Sequence, residues 1–403
     1  MDLTIKKLKL NKTEKLIMLI NFFGNGFFDR ALWIIYLISN GYSLVTIGIL
    51  QSLLNFSMFV TEIPTGIFSD RYGRKKSLII GRIFIILYYV TILFFSKNII
   101  ILICGFIVYG VGLSFISCSD QALLYDFIQE NNIESESTKI LGRYSACITI
   151  ALAISMGIGG VLQRISWNIV YEITIVFQII SLIITSFLKE SINTNKESVI
   201  KGKESSIIFR ITNELKSFIK LDKGLKLLIF GIAIYQGFIS LYYMFSQQLF
   251  NGNNYSVMAI SIIYSIENFI SAILYTNAYR LEKNFNISII LKQILIITFI
   301  SISLLFFKVK IFYLIAFFII SSAYSIFTPI IYTMINKNIA SSNRATILSI
   351  LSFFATLIMF VLSPILGKIA DKFGINIILA ICGCIFTLIT LLSLKKFFKK
   401  NYI

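Results

Sequence analysis

The stretch GIFSDRYGRKKSL, Gly66 to Leu78, sets five charges between two long apolar segments: Asp70, Arg71, Arg74, Lys75 and Lys76. Apolar residues lead into it from Leu44 and follow it to Phe95, and glycines stand at 66 and 73. A solvated loop accounts for the charges. It does not account for a lone acid bracketed by glycines, small residues that allow a tight turn and close helix approach.

The surrounding chain fixes the class. Of 403 residues, 57% are hydrophobic and 14% charged, whereas soluble domains carry about a quarter charged residues. Apolar runs of about 20 residues recur, long enough at 1.5 Å per residue to cross a ~30 Å hydrocarbon layer. Hydropathy predicts an all-α membrane protein with twelve transmembrane helices. They lie near 15–38, 43–68, 76–96, 98–127, 142–163, 168–188, 225–248, 257–278, 287–306, 310–336, 344–367 and 375–397. The fourth and tenth exceed the span length, which predicts tilt or extension beyond the membrane.

Residues 189–224 form the one long polar segment and divide the chain into a six-helix bundle over 1–188, with its basic tail, and a second over 225–403. The later part of that linker carries an apolar stripe, Ile207, Ile208, Ile211, Leu215, Phe218 and Ile219, suited to the membrane interface. Gly160 and Gly367 stand at matching places 207 residues apart, as two parallel repeats predict.

Net charge is +18, yet nucleic acid is not the expected partner, because the positive residues recur in alternate loops. With the N-terminus inside, 29 Lys and Arg fall on the cytoplasmic side and 6 outside. Both termini are therefore expected in the cytoplasm, with the positive loops facing anionic lipid. The five cysteines lie within apolar runs and histidine is absent. No metal spacing, nucleophile site or P-loop is present, so neither cofactor nor enzymatic activity is expected. The composition suggests a bacterial cell membrane, and a monomer is the expected assembly.

Twelve spans in two halves, a central polar loop and the charge cluster between spans two and three together resemble the major facilitator superfamily. Gly66, Asp70, Arg71, Gly73, Arg74 and Lys75 match its signature G-x-x-x-D-R-x-G-R-K position for position. EIPTGIFSDRYGRK and SFISCSDQALLYD (114–126) further resemble the second and fourth spans of bacterial drug exporters. The eighth-to-ninth loop lacks the glycines of a second signature, and the fourth span lacks the arginine of many proton-coupled antiporters. The resemblance implies that Asp70 meets the N-terminus of the eleventh span, near Ser341, Ser342 and Asn343, and that Arg74 pairs with Asp126. Those contacts would form when the cytoplasmic side closes.

Carboxylates inside spans are the next signal, since an ionised group at a helix centre costs roughly 2.5–3.5 kcal/mol. Asp29 falls on an i, i+4 row with Asn21 and Asn25, and its neighbour Arg30 points about 100° away on a helix. Two roles suit Asp29: a cavity residue for cation or proton, or a buried ion pair. Glu267 reads equally as proton carrier or packing pair. Asp120 is a candidate substrate contact because the fourth span lines the cavity in this family. Gln236 and Tyr243 on the seventh span, with Tyr324 and Tyr332 on the tenth, complete the candidate pocket.

The leading expectation is a secondary transporter that exports amphipathic small molecules by alternating access, in exchange for protons. Uptake of a small nutrient, by proton coupling or facilitation, is the alternative. A non-transporting membrane sensor or scaffold is a third reading.

Overall fold

The computed structural model describes residues 12–130, 137–188, 219, 223–338 and 341–401. Among them are thirteen α-helices and no strand. The expected linker 189–224 lies almost wholly outside the described residues. The helices are α1 (Lys12–Gly24), α2 (Trp33–Ser39), α3 (Leu44–Tyr72), α4 (Arg74–Phe95), α5 (Ile99–Glu130), α6 (Ser137–Gln163) and α7 (Trp167–Ser186) in the first half. The second half holds α8 (Lys223–Asn251), α9 (Val257–Asn284), α10 (Ile287–Ser303), α11 (Lys310–Asn338), α12 (Ser341–Phe373) and α13 (Ile375–Asn401).

Eleven of these are long and apolar enough to cross a membrane. The twelfth span corrects the sequence reading: the first span is not one helix over 15–38 but two pieces, α1 and α2, with residues 25–32 in turns between them. Its cause is local. Gly24-Asn25-Gly26 is poor in helix propensity, and the Asn25 side chain donates to the Asn21 carbonyl (2.9 Å), competing with the backbone. Arg82, one of the 29 Lys and Arg that the topology count assigns to the cytoplasmic side (in the segment 66–82), is a second correction, because it is buried inside α4.

Helix ends elsewhere follow capping chemistry. Ser43, Ser166 and Ser256 accept from Thr46 N, Ile169 N and Ala259 N at the starts of α3, α7 and α9. Prolines 64, 329 and 364 sit inside α3, α11 and α12, tolerated where neighbouring helices satisfy the freed carbonyls. At about 1.5 Å per residue the 32 residues of α5 outrun a hydrocarbon layer.

Two pseudo-symmetric bundles result, and among the described residues the main helix pairs that join them are α3 with α12, α6 with α9, and α2 with α8. Symmetry shows in the first two pairs. Gly367 on α12 lies against the Leu44–Val45 backbone at the start of α3, and Gly160 on α6 lies against Met258 and Ser261 at the start of α9. Ser261 Oγ donates to the Gly157 carbonyl (3.2 Å) and accepts from Gly160 N (2.9 Å), while Ser52 Oγ donates to the Phe360 carbonyl (2.7 Å). These contacts sit at the end where α3 begins, the Asp371 end. Toward the opposite, Asp70 end, the ring contacts between α3 and α12 reach as far as Phe59–Phe353 (5.5 Å).

Any side chain at Gly367 would strike the Leu44 carbonyl, which is backbone and cannot swing away. Gly367→Val is therefore expected to destabilise the purified protein by about 1–3 kcal/mol, read as a lower melting temperature in detergent. Gly142→Ala, where an added Cβ meets nothing within 4 Å, serves as the control and should melt no lower than the parent.

Candidate substrate site

Interrupting the first span frees backbone groups at membrane depth, and each must find a partner because no water is there to serve. The Gly24 carbonyl accepts from Arg82 Nη1 (2.7 Å) and Gln178 Nε2 (3.1 Å). Arg82 Nη1 also donates to Gln178 Oε1 (3.0 Å), so α4 and α7 hold the end of α1 together. From the other half, Gln247 on α8 donates to the Arg30 carbonyl (3.0 Å) and accepts from Ile34 N (3.1 Å). One carboxamide thus bridges the i, i+4 pair of Arg30 carbonyl and Ile34 amide that the break leaves unmade at the start of α2.

Within the break Asp29 and Arg30 go separate ways. Asp29 is 4% exposed and accepts from Tyr89 Oη at 2.9 Å. No α-helix passes through residues 25–32, so the i, i+4 row and the 100° offset expected for Asn25, Asp29 and Arg30 do not exist. Arg30 instead faces a cavity between the halves, and it belongs to none of the three ion pairs among the described residues.

That cavity measures about 580 Å³, within the usual range for small-molecule sites. The first half contributes Arg30, Trp33, Gln51 and Asn55; the second contributes Tyr243, Gln247, Glu267, Asn268, Ser271, Tyr324 and Ser325. Glu267 is 5% exposed and accepts from Ser271 Oγ. Asn268 Nδ2 donates to Tyr243 Oη (2.9 Å), and the Tyr243 hydroxyl stands near both Glu267 and Arg30. Met58, Met244 and Met359 supply apolar wall.

Of the residues singled out in the sequence, Arg30, Glu267, Tyr243 and Tyr324 line the cavity; Asp29, Asn25, Asp120, Gln236 and Tyr332 do not. Asp120 lies inside the first bundle, where it accepts from Asn21 Nδ2 (3.0 Å) and Tyr144 Oη (2.5 Å). Its environment also includes the Arg82 cation. Gln51, Asn55 and Asn268 were not anticipated. The signal was present, since amides at 51 and 55 share one face of α3 four residues apart.

At the Asp70 end the charge cluster is tied into its own half. Arg74 pairs with Asp70 (2.6 Å), donates to Ser69 Oγ (2.9 Å) and reaches Asp126 at 3.5 Å. Lys75 Nζ donates to the carbonyls of Ser186 and Leu188 (2.6 and 2.8 Å) at the end of α7. Arg71 lies over the Tyr72 ring (5.4 Å to its centre). A Cβ added at Gly66 would meet the Cys118 sulfur at 3.9 Å, and Gly73 turns the chain with φ of +101°. Helix α12 starts at Ser341, but the side chains of Ser341, Ser342 and Asn343 fall outside the described residues.

The sequence matches the family model of the Major Facilitator Superfamily over residues 16–361. The chain belongs to that superfamily. It is 26% identical over 257 residues to the uncharacterised MFS-type transporter YxaM of Bacillus subtilis (strain 168), covering 62% of each chain. An uncharacterised transporter of Buchnera aphidicola subsp. Schizaphis graminum (strain Sg) is 30% identical over 168 residues, 42% of this chain and 41% of that one. The chain thus spans under two thirds of the length of these relatives. Among solved structures, a mutant of the nucleoside transporter NupG superposes with a TM-score of 0.79 at 13% identity, over 97% of this chain and 99% of that one. A D-xylose–proton symporter superposes with a TM-score of 0.70 at 13% identity, over 97% and 96%. At such identity the likeness concerns the fold. This protein is a multi-pass membrane protein of the superfamily, and its cavity lies between the two bundles.

Arg82 carries the heaviest duty at the break, since its charged donor serves two buried acceptors. Arg82→Met should cost about 1.5–3 kcal/mol, measured as a fall in melting temperature. Tyr89→Phe removes one neutral donor from Asp29, and a smaller fall is expected.

Proposed function

We propose that this transporter carries a small polar solute bearing an acidic group, taken up with the help of a proton, by rocking its two bundles about the central cavity. One observation supports this above all: Arg30 and Glu267, from opposite halves, face one cavity whose remaining polar lining is amide and hydroxyl. An unpaired guanidinium at membrane depth is costly unless a ligand or water meets it, and its planar fork suits carboxylate or phosphate oxygens. Glu267, removed from bulk water and held by hydroxyl and amide donors, is placed to exchange a proton as the cavity changes sides.

Direction draws on the loop charges. If the basic loops face the cytoplasm, the sealed Asp371 end is the outer one, both termini are cytoplasmic and the described state opens inward. Protons entering gain about 2.3 kcal/mol per 100 mV for each full charge moved, enough to concentrate a solute. The polar linker 189–224 then joins bundles 1–188 and 225–403 on the inner face, against anionic lipid, and the single chain holds a whole cavity as a monomer.

Export of amphipathic molecules by proton exchange retains one supporting feature, the wall of Met58, Met244 and Met359, because flexible thioether surfaces accept varied apolar shapes. A scaffold or sensor that moves nothing has no use for opposite charges set across a cavity.

Flux into proteoliposomes from a panel of nucleosides, sugar phosphates, amino acids and small carboxylates separates these readings. Accumulation of an acidic or zwitterionic solute under an inward proton gradient is expected. Arg30→Ala should raise the half-saturating concentration roughly 10–100-fold, and Glu267→Gln should abolish proton-driven accumulation while leaving exchange of solute for solute. Movement confined to apolar dyes, in the outward sense, would favour export instead.

A further inference from the structure

The superfamily signature has a second, partial copy at the opposite face of the protein. Gly66-x-x-x-Asp70-Arg71-x-Gly73 closes α3, and Gly367-x-x-x-Asp371-Lys372-x-Gly374 closes α12. The two copies fold alike. Gly73 and Gly374 both take positive φ, +101° and +89°, and their amides donate to the fourth residue back, Ser69 and Ala370, at 3.0 Å each. Each glycine then launches the next helix, α4 or α13. Chain direction places the copies at opposite membrane faces, since α3 runs from the Asp371 end to the Asp70 end and α12 runs back.

Their acids differ in what they hold. Asp371 spends both carboxylate oxygens on the other half: Oδ1 accepts from Leu44 N and Oδ2 from Val45 N, each at 3.1 Å. These are the first two amides of α3, orphan donors at the positive end of a helix. Close approach is possible because Gly367, one turn earlier, lets α12 lie on the Leu44–Val45 backbone. Asp70, in contrast, is 56% exposed at its side chain and holds Arg74 within its own half.

We propose that Asp371 is the latch of the Asp371 end: a carboxylate on α12 that caps α3 and holds the two bundles together in the state described, and lets go when that end opens. Asp371 is a positioning residue for transport and touches no solute. The latch is suited to release because its carboxylate stands at the solvent, the Val45 contact exposed and the Leu44 contact half-buried. Asp371 is exposed and lines a cleft of about 460 Å³ with Ser43, Gln248, Lys308 and Asn376. Water can therefore take its place on both sides of the contact at little cost. The inference rests on the rocking motion of the Proposed function, but not on the solute or its direction.

A distance measurement tests it without any solute. Spin labels at Lys97→Cys and Lys310→Cys, on opposite halves at the Asp371 end, report opening in full-length protein in nanodiscs, with the five native cysteines replaced. The parent should populate chiefly the short distance. Asp371→Asn should raise the ratio of long to short distances on the order of tenfold, the usual weight of a lost helix cap. Leu44→Pro should shift the ratio the same way with Asp371 intact. It deletes one of the two donors, proline is accepted at the first helical position, and Ser43 before it is already extended. Asp70→Asn should not lengthen the distance. Folded Asp371→Asn and Leu44→Pro proteins with the parent distribution overturn the latch, as does Asp70→Asn opening this end equally. If Asp371→Asn does not fold, Leu44→Pro alone decides. Because labels and not flux are read, failure of the uptake reading leaves this outcome unaffected.

Discussion

Backbone polar groups cannot be left unpaired at membrane depth, and the first span of this protein breaks that rule unless side chains repair it. Gly24, Arg30 and Ile34 expose a carbonyl, a carbonyl and an amide at the break. Arg82, Gln178 and Gln247 supply the missing partners. The first two belong to the bundle that contains the break, and the third belongs to the other. The interruption therefore does two things at once. It turns Arg30 out into the cavity while Asp29 turns in to Tyr89, and it makes the contact between halves part of the hydrogen-bond ledger of the backbone itself.

The same logic of helix ends recurs at the rim. Asp371 satisfies the first amides of α3 from the opposite bundle, and Ser261 meets the backbone of α6 in the symmetry-related pair. Side chains acting on exposed helix backbone thus join the halves at the cavity floor and at the sealed end. Close glycine approaches and ring contacts accompany them, and the buried apolar cluster runs continuously from residues such as Leu44, Ile47 and Leu50 of the first half to Leu366 and Phe245 of the second. The hydrogen bonds between the halves are ones that water or a new partner can take over, as the proposed rocking of the bundles requires.

Much of this was legible in the sequence because hydropathy reports length, and length alone separates spans from loops at a bilayer. The signature from Gly66 to Lys75 then named the architecture. The break at 25–32 was not legible. A window of about 19 residues averages Gly24, Asn25, Gly26, Asp29 and Arg30 with the apolar residues around them, so a run of adequate mean hydropathy reads as one helix. From that assumption followed the helical row of Asn21, Asn25 and Asp29, which the backbone does not make. Asp120 was placed on the right helix but not on the right face, because the inward side of α5 has both a cavity side and a bundle side. Gln51, Asn55 and Asn268 are hidden in a span-length hydropathy average, which dilutes single amides among their apolar neighbours.

Hydrogen–deuterium exchange across residues 25–36 addresses the dependence of the break on the opposite bundle. In the parent protein the amides of Arg30, Leu32, Trp33 and Ile34 should be protected, and Gln247→Leu should expose Ile34 and its neighbours while the buried amides of α4 stay protected. Equal protection of this segment in Gln247→Leu, with the protein folded, would contradict the claim that the second half completes the backbone of the first span.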